Sequence, residues 1–278
     1  MEIKTLENTP TSEIVTCFNE AFSDYFVPIS ATEEAMQSRW RASRVDFSLS
    51  FGAFENNKLV AFIITGVGNL HGHKTAYNAG TGVIPAFRGQ KLVAKLYAYA
   101  LPVFKGAGIS QCTLEVITQN EKAIKAYRNI GFEIDRTLHC FKGELQPAST
   151  PSPFEIKTST AIDFEAIAPL QAYTFAWDNM NEGIKAAGPA YQYWQLFENQ
   201  NLKAYLFLNP ATGYIGQFGF DRSAPEIYGL NLLREVAKTH PSLRLNNVDA
   251  NAVETLALFE TAGMVNYISQ FEMRMLLN

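Results

Sequence analysis

The sequence predicts an α+β protein: a mixed, mainly antiparallel sheet flanked by helices and built as two similar halves. Three observations predict it. Strand-like apolar runs at 47–54 and 59–66 are joined by Glu55-Asn56-Asn57-Lys58, which has hairpin-turn chemistry. Amphipathic stripes at helical spacing alternate with such strands. The second half also repeats the order of the first. Residues 114–120 (LEVITQN) line up with 245–251 (LNNVDAN), each before an amphipathic helix that closes at a glycine, Gly131 or Gly263. Each half then ends in a strand-like tail, 138–145 or 268–277, so internal duplication is the economical reading. The Pro/Ser/Thr segment 146–153 separates the halves, giving expected domains at 1–147 and 154–278.

Composition excludes several function classes. Of 278 residues, 47% are hydrophobic and 18% charged, with a net charge of −4 and no basic block, so no nucleic-acid partner is expected. Cys17, Cys112 and Cys140 are odd in number and lack metal-ligand spacing, which suits a reducing compartment. The start, MEIKTLENTP, has no basic-then-apolar signal pattern, and no apolar run approaches membrane-spanning length. No membrane association and a cytoplasmic location are the expectation.

In chain order, residues 2–6 read as a strand and Thr11-Ser12-Glu13 opens a helix carrying Ile14, Val15, Phe18, Ala21 and Phe22. The aromatic segment 22–28 is broken by Pro28, and a second helix begins at Ser30 or Thr32. That helix carries Met36 and Trp40, with Arg39, Arg41 and Arg44 as a solvated face. A loop is expected over 68–73, then a strand over 75–84 whose interior holds Gly80 and Gly82. Such glycines mark a bulge or a close ligand approach. A helix follows from about Gly89, which Pro102 should kink or end. A strand over 113–117 precedes a helix capped by Asn120 and striped by Ala123, Ile124, Tyr127 and Ile130. Two short closing strands, 132–134 and 138–143, complete the half. In the second half, strands are expected at 154–157, 205–208, 214–220 and 243–246. Helices are expected at 163–172, around 191–197, and from 225 or 228 to 238.

The most informative stretch is Val83-Ile84-Pro85-Ala86-Phe87-Arg88-Gly89-Gln90-Lys91-Leu92-Val93. A strand, a Gly-containing turn and a helix start aim unpartnered amides and the positive end of a helix dipole at one point. Such a turn suits pyrophosphate, and equally suits an ordinary connection.

With the later pattern added, residues 1–145 resemble the GNAT superfamily of acyl-CoA-dependent N-acyltransferases. The family's strand-ending Val-x-Pro and Arg/Gln-x-x-Gly-x-Gly/Ala stand here as Val83-Ile84-Pro85 and Arg88 through Val93. Its Leu-Glu-Val, Asn, Ala, Tyr and Gly-Phe stand as Leu114-Glu115-Val116, Asn120, Ala123, Tyr127 and Gly131-Phe132. The resemblance implies two such domains in tandem and acetyl-CoA as co-substrate, with no metal. It implies that Gly82 and Val83 offer backbone groups to the pantetheine arm. Arg88, Gly89, Gln90, Lys91, Leu92, Val93 and Ala94 would bind the pyrophosphate, Asn120 would reach the cofactor, and Tyr127 would be the general acid. Lys91 and Val93 replace the family's preferred Gly and Gly/Ala. Backbone amides make the contacts, and any residue with helical dihedrals supplies those.

An amine must lose a proton before it attacks a thioester, so a base is needed, and an acid eases departure of the thiolate. Glu115, sharing a strand face with Thr113 and Ile117, is the candidate base; its bland reading is a carboxylate paired with Lys or Arg. For Tyr127 the bland reading is a core tyrosine. His71 and His73 lack a third ligand and read as loop residues, and the cysteines read as buried small side chains.

The second half lacks this chemistry. Asn246 stands for Glu115, Leu258 or Phe259 for Tyr127, and the turn near 220–229 contains Asp221 and Glu226 in place of Arg-Gly. It reads as a degenerate copy without catalysis. The aromatic segment Trp177 to Met180, with Tyr191, Tyr193 and Trp194, is expected in a domain core more than lining an acceptor site. The expected activity is transfer of an acetyl group to a primary amine of a small-molecule or amino-acid-like acceptor. A non-catalytic acyl-CoA-binding or regulatory module is the alternative.

Overall fold

A computed structural model describes residues 1–24 and 31–277; most of the aromatic segment, Tyr25 to Pro28, and Ser30 lie outside the described residues. The chain forms two compact units, one of Met1–Asp135 with Glu272–Asn278, the other of Arg136–Phe271.

The first unit opens with β1 (Glu2–Thr5), α1 (Thr11–Ala21) and α2 (Glu33–Ala42). Thr32 Oγ1 accepts from Ala35 N–H at 3.2 Å and starts α2. Residues Phe47–Leu49 form a 3-10 turn and not the expected strand, because Asp46 caps it, accepting from Ser48 N–H at 2.9 Å. The sheet then runs through β2 (Phe51–Glu55), β3 (Lys58–Leu70) and β4 (His73–Val83). Asn56 and Asn57, with φ of 50° and 65°, make the predicted hairpin turn. The loop expected over 68–73 is a second tight hairpin. His71 and Gly72 take φ of 53° and 81°, and Asn69 Oδ1 accepts from Gly72 N–H at 3.0 Å, so β3 and β4 pair down to Leu70 and His73.

After β4 come α3 (Leu92–Gly106), β5 (Gln111–Ile117) and α4 (Glu121–Ile130). Pro102 sits inside α3 without ending it. The carbonyl it leaves unbonded is that of Ala98, on the exposed side of the helix where water can serve it. Strand order in this unit is β1-β2-β3-β4-β5, antiparallel except for the parallel β4–β5 pair. Beside β5 lies the end of the chain's last strand (Val265–Leu276, β12 below). Leu277 N–H donates to Ser110 O at 2.9 Å, and Thr113 Oγ1 to Met273 O at 3.1 Å.

The two short closing strands are one strand, β6 (Glu133–Glu144), which begins in the first unit and continues in the second. There it pairs antiparallel with β11 (Ser242–Asp249). The Pro/Ser/Thr segment therefore lies inside the second unit, between β6 and β7 (Glu155–Ser159). Two short helices follow, α5 (Phe164–Ile167) and α6 (Asn181–Ala187), then β8 (Gln192–Glu198), β9 (Asn201–Asn209) and β10 (Tyr214–Phe220). Between β10 and β11 runs α7 (Pro225–Ala237), and α8 (Val253–Thr261) precedes β12. The helix expected around 191–197 is strand β8. Its aromatic residues suit a pleated surface, and it pairs with β7 on one side and β9 on the other. The order in this unit is β12-β6-β11-β10-β9-β8-β7. Its core gathers Leu206, Leu208, Phe218, Leu232, Leu233 and Phe259. No helix among the described residues is long and apolar enough to cross a membrane.

Candidate active site

The site grows out of an interruption in the first unit's sheet. Strands β4 and β5 pair only from Thr75, Ala76 and Tyr77 to Gln111, Cys112 and Thr113, although both run on, to Val83 and Ile117. Past Tyr77 they diverge and leave a wedge. The register between β3 and β4 shifts at the same level, with Ile64 opposite Gly80 and Thr65 opposite Asn78, so Ala79 is the extra residue of a bulge.

That bulge reverses side-chain parity. Asn78 reaches the α3/α4 face, where its Nδ2 lies 3.1 Å from Tyr97 Oη and 3.3 Å from Tyr127 Oη. Without the extra residue Gly80 would share that face. Instead Thr81 shares it, its Oγ1 accepting from Asn78 Nδ2 at 2.8 Å, and Gly80 and Gly82 look toward α1. Asn78 Oδ1 accepts from Gly80 N–H at 3.0 Å and holds the bulge from within.

Gly82 has a steric reason to be glycine: a Cβ there would stand 2.5 Å from Phe62 and 2.9 Å from Ala21. Because Ile84 N–H bonds Val60 O, ladder alternation turns the Gly82 amide toward β3 and the Val83 amide toward the wedge. Of the two expected backbone contacts, only Val83 has its amide on the open side. The glycine signal that suggested ligand approach reports α1 packed on the other face.

Tyr127, two turns into α4, is 8% exposed, with its ring against Tyr97 and Phe132. Burial holds Tyr97 well above the ordinary tyrosine range, with the Tyr127 hydroxyl adding to the effect, so Tyr97 stays neutral. Asn78 donates to Tyr127 Oη, which accepts there and must direct its own proton elsewhere. Glu115 lies on the opposite face. Tyr77, one residue before Asn78, donates to Glu115 Oε2 at 2.6 Å. A tyrosine hydroxyl is thus among its partners, where the bland reading named Lys or Arg. Asn120 Oδ1 caps α4, accepting from Ala123 N–H at 3.2 Å.

In the turn itself, Gly89 takes φ 80° and Lys91 φ 57°, ψ 30°. Lys91 is therefore left-handed and not helical as expected, which supplies a physical reason for glycine there in the family pattern. Among the described residues, the amides of Gly89, Gln90, Lys91, Leu92, Val93 and Ala94 find no acceptor, and α3 has no side-chain cap. Those amides at the start of a 15-residue helix, with open space over Gly89, fit a phosphate group. The Arg88 guanidinium is turned away from them. It donates from Nη1 and Nη2 to Asp24 at 2.6 and 2.7 Å, from Nη2 to Ala21 O at 3.0 Å and from Nε to Val83 O at 3.3 Å.

Other candidates fall outside the wedge. His73 Nδ1 is 3.2 Å from Ser110 Oγ, and no group of three metal-type ligands occurs among the described residues. Burial pushes the thiols of Cys17 and Cys112 up to about 12, so both stay protonated at neutral pH. Arg39 and Arg41 are exposed, whereas Arg44 is half-buried beyond the helix. Sequence reasoning missed Asp24, Tyr77, Asn78, Thr81 and Tyr97. Of these only Asn78, an Asn two residues before a strand glycine, carried a local signal.

In the second unit the wedge recurs without the chemistry. Parallel pairing of β10 with β11 covers only Tyr214–Arg244 and Ile215–Leu245, with a register shift beyond. Leu258 and Phe259 are buried in the core. Asn246 Oδ1 accepts from Tyr267 Oη at 3.2 Å. Asp221 is salt-bridged to Lys203 at 2.6 Å; that bond and those from Ser223 lower its pKa to about 2. Trp177, Asn179 and Tyr193 are buried, and Asn179 Nδ2 donates to Gly216 O at 2.6 Å.

Comparison with known proteins bears on the family and the fold. Residues 13–132 match the model of the acetyltransferase (GNAT) family. No curated protein sequence matches. A tandem GNAT protein from the clavulanic acid biosynthesis pathway superposes with a TM-score of 0.73 at 13% identity, over 100% of this chain and 98% of that one. A GCN5-related N-acetyltransferase from Sphaerobacter thermophilus gives 0.70 at 16% identity, over 100% and 96%. At such identities the likeness concerns the fold. Residues 13–132 are thus a domain matching the GNAT acetyltransferase family, whose members use acyl-CoA co-substrates, and the chain as a whole has the fold of a tandem GNAT protein.

Proposed function

We propose that the first unit transfers an acetyl group from acetyl-CoA to the primary amine of a small-molecule or amino-acid-like acceptor. One observation carries the reading: the wedge between β4 and β5 has a proton donor on one face, Tyr127, and a carboxylate on the other, Glu115. When bound, the thioester supplies an electrophilic carbonyl and a leaving group. The amides from Gly89 to Ala94 hold its phosphates, and the Val83 amide faces its acyl arm. Glu115 accepts the amine proton, directly or through water, while Tyr77 orients the carboxylate. Tyr127 Oη, fixed by Asn78, holds the proton that the departing group takes up. Acid and base on opposite faces put acceptor entry on the α1/α2 side. The second unit is non-catalytic in this reading, and neither a metal nor a nucleic acid takes part.

Release of free thiol from acetyl-CoA over a panel of amines and amino acids tests the proposal. Turnover with at least one amine supports it. Tight cofactor binding with no turnover on any acceptor would favour the non-catalytic acyl-CoA-binding module.

A further inference from the structure

The side chain with the most donors at the phosphate turn is Arg88, and it is already occupied. A guanidinium has five N–H donors in a rigid fork. Four are used here, two on the Asp24 carboxylate and one each on the carbonyls of Ala21 and Val83. These partners come from two elements. Val83 ends β4, whereas Ala21 is the last residue of α1, whose carbonyl has no helical partner of its own. The same end of α1 lies over Gly82, where Ala21 Cβ leaves no room for another methyl. Arg88 therefore ties the residue entering the turn to the end of α1. Beyond it, Gly89, Gln90 and Lys91 are exposed among the described residues.

We propose that Asp24 and Arg88 form a positioning pair that holds the turn in its anion-binding shape, while the backbone amides alone contact the phosphates. The proposal rests on the acyl-CoA reading above. Fixing the residues of an exposed turn costs backbone conformational entropy, so a preformed turn binds more tightly than a loose one. Asp24 is ionised at neutral pH, since the hydrogen bonds from Arg88 hold its carboxyl below the ordinary range. The bidentate geometry also resists exchange for a single phosphate contact.

The test is a double-mutant cycle read by calorimetric binding of CoA and of pantetheine, which lacks the phosphates, to the full chain. D24N, R88M and D24N/R88M should each weaken CoA binding by about fivefold, the double no more than either single, because all three remove one tie. Pantetheine binding should not change. Should R88M fail to fold, D24N still decides the matter. Unchanged or tighter CoA binding in D24N would make Arg88 a phosphate ligand that Asp24 restrains, and would overturn the proposal. Additive losses, or equal losses for pantetheine, would overturn it as well. If the wild-type chain binds no CoA, the acyl-CoA reading fails and takes this proposal with it.

Discussion

At the scale of single residues, the site depends on hydroxyls whose direction is set by neighbours. In the proposed mechanism Tyr127 is the acid, and its surroundings suit that role: Asn78 donates to its Oη and Tyr97 beside it stays neutral. Tyr127→Phe should lower kcat about 10- to 100-fold, with CoA affinity within about twofold of the wild type. Steady-state kinetics beside a binding isotherm checks this, and an unchanged kcat removes Tyr127 from the mechanism. Lys91 gives a second expectation. Its left-handed backbone suits glycine and punishes β-branching, so Lys91→Val should be less stable than Lys91→Gly by about 1–2 kcal/mol in urea unfolding. Both tyrosine and lysine were visible in the sequence as motif positions. Their directions were not, because a spacing rule places a residue on a face but does not say which polar atom it meets. Asp24 shows this most plainly, since its partner is 64 positions away.

At the scale of elements, residues with local signals behaved as their chemistry demands. Asn56-Asn57 turned, Thr32 capped α2, Asn120 capped α4, and Gly131 took φ 116° at the end of α4. Where the reading failed, non-local pairing had outvoted local pattern. Tyr193 through Phe197 could lie on a helix stripe, but β7 and β9 flank them and make a strand. The stretch 68–73 has loop composition, yet two left-handed residues suffice to close the hairpin. Gly82 is the instructive case: its presence was legible and its reason was not. Gly82→Ala should cost about 1–3 kcal/mol, since Phe62 and Ala21 must both move, whereas Gly80→Ala, with neighbours no nearer than 3.9 Å, should cost less. Paired denaturation curves decide between this packing account and a ligand-approach account, under which CoA affinity would change before stability.

At the scale of the whole molecule, the duplication was readable because both halves keep the same element order, and the structure adds the same divergence between a central pair of strands. The assignment of strands to units was not readable. Composition shows where a chain is loose, not which strand finds which neighbour. A chain stopped after residue 271 keeps the whole GNAT match at 13–132 but lacks the residues that bond Ser110 and Thr113. It should lose cooperative unfolding in the first unit and bind CoA poorly, as circular dichroism melts and calorimetry would show. A melt matching the full chain would mean that β5 needs no such neighbour. Membership of Glu272–Asn278 in the first unit also sets a timetable. On the ribosome, Met1–Asp135 emerges well before the strand that completes it, a delay on the order of ten seconds at ordinary elongation rates. Through that interval the edge of β5 lacks its neighbour, so the first unit is made early and completed only after the second has been synthesised.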